Sequence, residues 1–380
     1  MSAPDTATPR CPHFGVCGGC QHQDLAYDEQ LKLKRARLAE LLRGGGLEIP
    51  EIAVHADEPY GYRNRIRLRV GRADGVLRLG YNRAGSNEFL PIVDCPIAAP
   101  ILWQTAEALL AATHAEENAA KCLAAASHAE LFSSDDSARV QLTLLYEPRT
   151  APAHGSFDAM MQTLAAAAPQ IASAAAVNYD ARTGLPGRQL ESWGADGIAY
   201  RAAGETYWIS RGAFFQVNRF LIDTLVKLVC DGRSGALAWD LFAGVGLFSR
   251  VLARSFERLT AVEANATAAA DLRGALAKLG PAHNAVQATT LDFLRGAVVQ
   301  RDRPELIVLD PPRAGAGAEA CELLLRVSAA QMVYVSCEPA TLARDLAALK
   351  AGYRISALHM VDLFPQTDHL ETVVVLERNS

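Results

Sequence analysis

Four carboxylates and one thiol stand where covalent and proton-transfer chemistry is possible. Cys337 lies in YVSCEPATLARD, just after the apolar run Met332 to Ser336 and two residues before Pro339, a residue suited to the first turn of a helix. That spacing predicts a thiol at the carboxyl end of a strand and beside a helix N-terminus, where the helix dipole would lower its pKa and favour the nucleophilic thiolate. Asp310 ends an apolar run in LDPPR, and the two prolines that follow forbid an immediate helix. Asp240 ends another apolar run ahead of the turn Ala243-Gly244-Val245-Gly246, and Glu263 ends the next, 23 positions after Asp240. Glycines there let backbone approach a ligand, and an acid ending the second strand can accept hydrogen bonds from ribose hydroxyls. In DLFPQTDHLETVVVLER, Glu371 opens a very apolar strand, with His369 two residues earlier. A carboxylate at such an edge is poised as a proton acceptor.

A second set of residues suits a soft metal. Cys11, Cys17 and Cys20 are spaced C-x5-C-x2-C, and Cys95 in Asp94-Cys95-Pro96 could close the set from a distance. Four thiolates fit a [4Fe-4S] cluster or tetrahedral zinc, and softness alone does not choose between them. Paired C-x2-C knuckles, the commoner zinc arrangement, are missing from the sequence. Cys122, Cys230 and Cys321 read as packing residues.

The elements that must position these groups fall into two styles. From about residue 215 onward apolar strands alternate with amphipathic helices, which predicts a mostly parallel sheet with helices on both faces. Strands are expected at 237–242, 259–263, 306–310, 332–336, 353–361 and 371–376, with helices at 247–255, 264–279, 317–328 and 339–350. Ligands bind such sheets at the carboxyl ends of the strands, so Asp240, Glu263 and Asp310 should meet in one crevice. Upstream, a basic helix is expected over 23–43. It is followed by a strand in which Arg63, Arg65, Arg67 and Arg69 alternate with Asn64, Ile66, Leu68 and Val70. The arginines would form an outer face, with Tyr60 and Tyr62 beside them; Asp74 is the one acid among seven arginines between positions 63 and 83. Further strands are expected at 76–81, 140–146 and 207–210, and the Ala-rich stretches 104–130 and 158–176 read as helices. The expected division is a cysteine segment with the basic helix (1–50), a β-rich central domain (51–205) and an α/β domain (206–380).

Composition sets outer limits. The chain has 380 residues, 50% of them hydrophobic and 21% charged, which excludes a disordered, collagenous or coiled-coil chain. A net charge of -5 and eight cysteines point to no nucleic-acid partner and to no disulfide-dense secreted fold, so a nucleic-acid function would need a local basic patch. The start MSAPDTATPR has no apolar core behind a basic segment, and no run of about 18 apolar residues occurs. The expectation is a soluble cytoplasmic protein, away from membranes.

Taken in order, FFQVN (214–218), DLFAGVG, VEAN, LDPPR, VSCEPATLARD and FPQTDHLETV resemble the motif set of the RNA uracil-5-methyltransferase family. The likeness is close over roughly 200–380. CPHFGVCGGCQHQ with a distant DCP resembles the iron-sulfur members that act on 23S rRNA. The resemblance implies a Rossmann-like class I fold binding S-adenosylmethionine (SAM) through Gln216, Phe242, Gly244, Gly246, Glu263, Asp310 and, as a weaker match, Asp292. It also implies Cys337 as nucleophile, Glu371 as general base, and a [4Fe-4S] cluster on Cys11, Cys17, Cys20 and Cys95. A three-cysteine cluster that cleaves SAM to a radical usually has x3 and x2 spacings and would not want Cys95. The cluster's expected role is structural: holding the basic helix and the arginine strand in register for RNA, with nothing placing it beside the SAM crevice. Only ten residues precede Cys11, so the resemblance implies an enzyme without the added RNA-binding barrel (TRAM domain) of some relatives.

Two departures matter. Leu247 stands where rRNA-modifying relatives often carry asparagine, and Arg313 stands where amino-group methyltransferases carry an aromatic residue, which argues against methylation of an exocyclic amine. The implied product is 5-methyluridine in 23S rRNA, made by a monomer without an obligate protein partner. The tRNA T-loop is the alternative substrate. A non-catalytic iron-sulfur RNA-binding protein is the alternative of another class, and a methyltransferase acting on amines or proteins would not need Cys337.

Overall fold

The structure, a computed structural model, describes residues 5–179, 186–301 and 303–379. After the cysteine-rich segment come α1 (Tyr27–Gly44) and β1 (Ile52–His55). The central region then runs β2 (Arg65–Ala73), β3 (Val76–Asn82), β4 (Phe89–Pro91), α2 (Pro100–Ala115), α3 (Glu117–Ala125), β5 (His128–Ser133), β6 (Val140–Tyr146), α4 (Ser156–Ala167), β7 (Ile171–Tyr179) and β8 (Pro186–Gly194). A hairpin of β9 (Gly197–Ala202) and β10 (Glu205–Ser210) leads to α5 (Ile222–Cys230). The last part alternates β11 (Gly235–Leu241), α6 (Ser249–Leu252), β12 (Phe256–Glu263), α7 (Ala266–Ala277), β13 (His283–Gln287), α8 (Thr290–Gln300), β14 (Leu306–Leu309), α9 (Ala318–Val327), β15 (Gln331–Ser336) and α10 (Pro339–Leu349), closing with β16 (Tyr353–Val361) and β17 (Glu371–Arg378).

The eight-stranded sheet has the order β1-β16-β17-β15-β14-β11-β12-β13. Buried clusters cover both of its faces, which is why β14 and most of β15 are unbroken apolar runs rather than alternating ones. β11 lies between β12 and β14, with the chain leaving to one side and returning on the other. The order therefore reverses beside β11, and the carboxyl ends of β11 and β14 form the switch point at which such sheets take ligands. β17 pairs antiparallel with both β15 and β16. The strap 362–370 before it is nine residues, too short for a crossover, which needs a dozen or more. The chain must turn straight back, so β17 starts at the end where the parallel strands finish, and its first residue is Glu371.

Several elements differ from expectation. The helix of the N-terminal segment packs onto the α/β part: Leu38 and Leu42 are fully buried among Leu342, Leu346 and Ile52. β1, expected in the central domain, extends the large sheet as a parallel edge strand on β16. The Ala-rich helices stop early, and β5 and β7 begin inside the ranges expected to be helical. Ala174, Ala175 and Ala176 are fully buried in β7, where sheet pairing and close packing outweigh alanine's helix preference. Among the described residues no helix is long and apolar enough to cross a membrane.

Candidate active site

Carboxylates gather at the switch point. Asp240 is fully buried at the end of β11, and Ser249 donates its hydroxyl to one carboxylate oxygen. The other oxygen, Oδ1, has no partner among the described residues. Burial, with Asp310 and Glu263 nearby, pushes the Asp240 carboxyl up to about 7. Asp310, just past β14, is likewise pushed up to about 7 by burial, and Gln216 Nε2 lies 3.5 Å from its Oδ2. Glu263, ending β12, accepts from the Gly244 amide at 2.8 Å and the Asn265 amide at 2.6 Å, so it fastens the glycine turn. Phe242 (φ 63°), Gly244 (φ 56°) and Gly246 (φ 92°) all take left-handed backbone. A Cβ at Gly246 would come within 2.7 Å of Leu272 Cδ1, so α7 could not pack as closely there. Asp292 stands apart, exposed at the start of α8 and paired with Arg295 at 3.1 Å. Leu247 is buried, and its carbonyl accepts from the Tyr207 hydroxyl at 2.9 Å.

Cys337 follows β15, and Glu371 opens the neighbouring β17, with Ser336 paired to Thr372. The Cys337 thiol is pushed up to about 11 by burial, then by the Glu371 and Asp310 carboxylates, against a weaker pull from Arg313. That reverses the expected lowering by the helix terminus. Glu338 caps α10 through its side chain, which accepts from the Ala340 amide, so the positive end of that helix already faces a carboxylate. Glu371 is 3% exposed, its Oε1 has no partner among the described residues, and burial beside Asp310 raises its carboxyl well above the usual range. Such a carboxylate holds a proton tightly once it takes one. Arg313 acts on both Cys337 and Glu371, and its Nη2 lies 3.3 Å from His369 Nε2. The sequence reading used Arg313 only to exclude amine methylation, although its place directly after LDPP marked it for the same crevice. Phe214, 62% exposed in the FFQVN segment beside Gln216, was also passed over.

The four N-terminal cysteines line one cavity of about 450 Å³, together with Arg63, Tyr81 and Gln23. Sequence distance is closed by the loop before α2, which brings Cys95 to the C-x5-C-x2-C turn. Each thiol is raised chiefly by burial, Cys95 to about 12, and Cys11, Cys17 and Cys20 also act on one another. Among the described residues no three metal-ligating side chains converge on a point fit for a single ion. Four soft donors thus share one cavity, with the half-buried Arg63 on its wall, and are the residues that could hold a metal group.

The arginine strand is not an open face. Ile66 and Leu68 point into the core as expected, but Arg65 and Arg67 both pair with Glu130 of β5, at 3.0 and 2.8 Å. Arg65 also lies over the Phe132 ring, Arg69 is tied to Asn82 and to the Asn87 carbonyl, and Arg63 faces the cysteine cavity. Sequence spacing could not show that Glu130 would arrive across the sheet. Tyr62 is corrected outright: it is fully buried with its hydroxyl donating to the Pro365 carbonyl, so it has no ring face to offer a base. Tyr60 is half-buried beneath the Arg10 guanidinium. Exposed cations lie on α1 instead, at Lys32, Arg35, Arg37 and Arg43, while Lys34 of the same helix is buried.

Comparison with known proteins identifies the family and the fold. The model of the tRNA (Uracil-5-)-methyltransferase family matches residues 26–379. The chain is 31% identical over 392 aligned positions to the 23S rRNA (uracil(1939)-C(5))-methyltransferase RlmD of Salmonella paratyphi A, covering 99% of this chain and 83% of that one. Its fold is similar to that of the tRNA (uracil-54, C5)-methyltransferase of Pyrococcus abyssi, solved with S-adenosyl-L-homocysteine, with a TM-score of 0.74 and 24% identity over 95% of this chain and 86% of that one.

Proposed function

The chain belongs to the tRNA (uracil-5-)-methyltransferase family, and from that premise we propose that it uses SAM to form 5-methyluridine in 23S rRNA. The observation that carries the reading is the meeting of Cys337, Glu371 and Asp310 at one end of the large sheet. The rRNA substrate is favoured over tRNA because the 31% identical relative, aligned along nearly the whole chain, is an rRNA enzyme. Likeness to the tRNA enzyme is one of fold.

Carbon 5 of uracil is a poor nucleophile and needs activation. The Cys337 thiolate adds to carbon 6, giving an enolate whose carbon 5 is electron-rich. Carbon 5 takes the methyl group from SAM, Glu371 removes the proton from carbon 5, and elimination of the thiolate frees the product. Arg313, beside both groups, stabilises the negative charge that appears on the ring. Gln216, Phe242, the turn at Gly244 and Gly246, Glu263 and Asp310 form the SAM site; Asp292, standing apart at the start of α8, is the weaker match to it. When bound, the sulfonium of SAM brings a positive charge among carboxylates that otherwise hold the Cys337 thiol neutral.

Cys11, Cys17, Cys20 and Cys95 would hold a [4Fe-4S] cluster, supplying a cross-link between the N-terminal turn and the loop before α2. The target uridine must leave its stack, at a cost of about a few kcal/mol offset by phosphate and stacking contacts. The exposed cations of α1, Tyr60 and Phe214 are suited to those contacts, and Arg67 and Arg69 are half-exposed.

Cys337→Ala should abolish methyl transfer and trapping by 5-fluorouridine RNA, and Glu371→Gln should accumulate a denaturation-resistant adduct on ordinary RNA. Full turnover by the Cys337 variant would overturn the covalent scheme. Mapping 5-methyluridine in 23S rRNA and tRNA from cells with and without the gene decides the substrate. Loss of iron absorbance in Cys17→Ser tests the cluster.

A further inference from the structure

We propose that the cysteine turn and α1 are positioning devices for the carboxylate that removes the carbon 5 proton, because together they clamp the strap 362–370 that delivers Glu371. This rests on the reading of Glu371 as the base. The strap has no regular structure of its own, yet it is mostly buried, and besides Asn218 and Arg313 it is held by residues more than 300 positions away.

The turn that follows Cys20 makes the first set of contacts. Gln21 and His22 both donate backbone amides to the Gln366 carbonyl, at 2.8 and 3.1 Å. His22 Nε2 lies 2.8 Å from an Asp368 carboxylate oxygen, and the Asp368 amide donates to Gln21 Oε1 at 3.3 Å. Arg63, on the wall of the cysteine cavity, stands 5.9 Å over the Phe364 ring. Helix α1 makes the second set. Lys34 Nζ donates to Asp362 Oδ1 at 2.6 Å and to the Phe364 carbonyl at 2.9 Å, and Tyr27 donates to Asp362 Oδ2 at 2.9 Å. The Lys34 and Asp362 side chains are 3% and 0% exposed. Gln30 binds the Gln366 side chain and amide at 2.9 and 3.0 Å and also holds the His22 carbonyl at 2.9 Å, so one side chain joins turn and strap. Gln366 has φ 70°, a conformation that these bonds must maintain.

None of these contacts is made by a residue assigned to the SAM site; among the described residues the strap's one link toward it comes from Asn218, two residues after Gln216, whose side chain donates to the Asp362 and Leu363 carbonyls at 3.5 and 3.2 Å. The N-terminal segment therefore bears on one step of the reaction rather than on cofactor binding. This differs from a cluster that serves only to set the RNA-binding surface, the role expected from sequence.

The test uses the full-length purified protein and two variants that strand no buried charge, Gln30→Leu and Cys20→Ser. Lys34→Met is avoided because it leaves Asp362 buried and unpaired. Hydrogen exchange of the amides at 366–369 should quicken at least tenfold in both variants. With uridine RNA and SAM both should accumulate the methylated adduct that awaits proton removal, while SAM affinity stays within about twofold of the parent. A general loss of structure would instead weaken SAM binding along with turnover and give no adduct. Exchange in the strap at the parent rate in either variant, or loss of turnover without adduct, overturns the proposal. Glu371→Gln, run in parallel, separates the two readings: if it makes no adduct, the base assignment falls, and the clamp stands or falls on strap exchange alone.

Discussion

Alkylation of Cys337 by iodoacetamide in the free protein should be slow and steeply dependent on pH. The thiol is pushed to about 11 against an ordinary value of 9.0. At about pH 8 the thiolate fraction then falls from roughly 10% to roughly 0.1%, a hundredfold deficit in the species that reacts. The rate at Cys337, followed by mass spectrometry of its peptide so that the other seven cysteines do not interfere, should rise about tenfold per pH unit between roughly pH 7 and 10. Because burial is the largest cause and Glu371 the next, Glu371→Gln should speed alkylation and shift the profile to lower pH, and Asp310→Asn should act in the same direction more weakly. A plateau below about pH 8 would refute this reasoning. It would mean that the N-terminus of α10 governs the thiol despite the Glu338 cap, and that the fold alone activates the nucleophile. The expected result assigns activation to the bound substrates.

The remaining predictions concern stability and RNA contacts. Asp240 has its folded-state pKa raised to about 7, so the native state binds more protons than the unfolded one between roughly pH 4 and 7 and loses stability as pH rises through that window. Asp240→Asn should therefore stabilise the fold, and denaturant unfolding should show the gain larger at pH 8 than at pH 6 by about 1 kcal/mol; an equal gain at both would count against a raised carboxyl. Leu38→Ala removes a fully buried side chain from the contact between α1 and α10 and should cost about 2–5 kcal/mol in the same assay, whereas a helix merely resting on the surface would lose far less. Tyr60→Ala should weaken RNA binding with the melting temperature nearly unchanged, while Tyr62→Phe should leave RNA affinity intact and cost about 1 kcal/mol for its lost bond to Pro365. Reversed effects at the two tyrosines would restore Tyr62 as an RNA contact.

Much of the catalytic half was legible in the linear sequence because its determinants are local. Apolar runs ending in Asp240, Glu263, Asp310 and Ser336 announce buried parallel strands, the glycine turn needs left-handed backbone that few other residues supply, and prolines punctuate the ends. A carboxyl-end crevice follows from those features together with the general behaviour of parallel sheets. β13 escaped notice because HNAVQ is a short, half-exposed edge strand without alternation, and β7 because its alanines favour helix until packing decides otherwise.

What only the tertiary structure decided concerns partners that arrive from far along the chain. Glu130 crosses from β5 to neutralise arginines whose period-two spacing had suggested an open basic face. Tyr62 and Lys34 carry polar groups that mark them as surface residues, yet the strap 362–370 covers both and satisfies their hydrogen bonds. The state of the Cys337 thiol depends on Glu371 and Asp310, 34 and 27 positions away, and on how much water the fold leaves beside them. Residue type and spacing determine which groups can react; burial and long-range charge, which no local pattern encodes, determine how they are held and in what protonation state they wait.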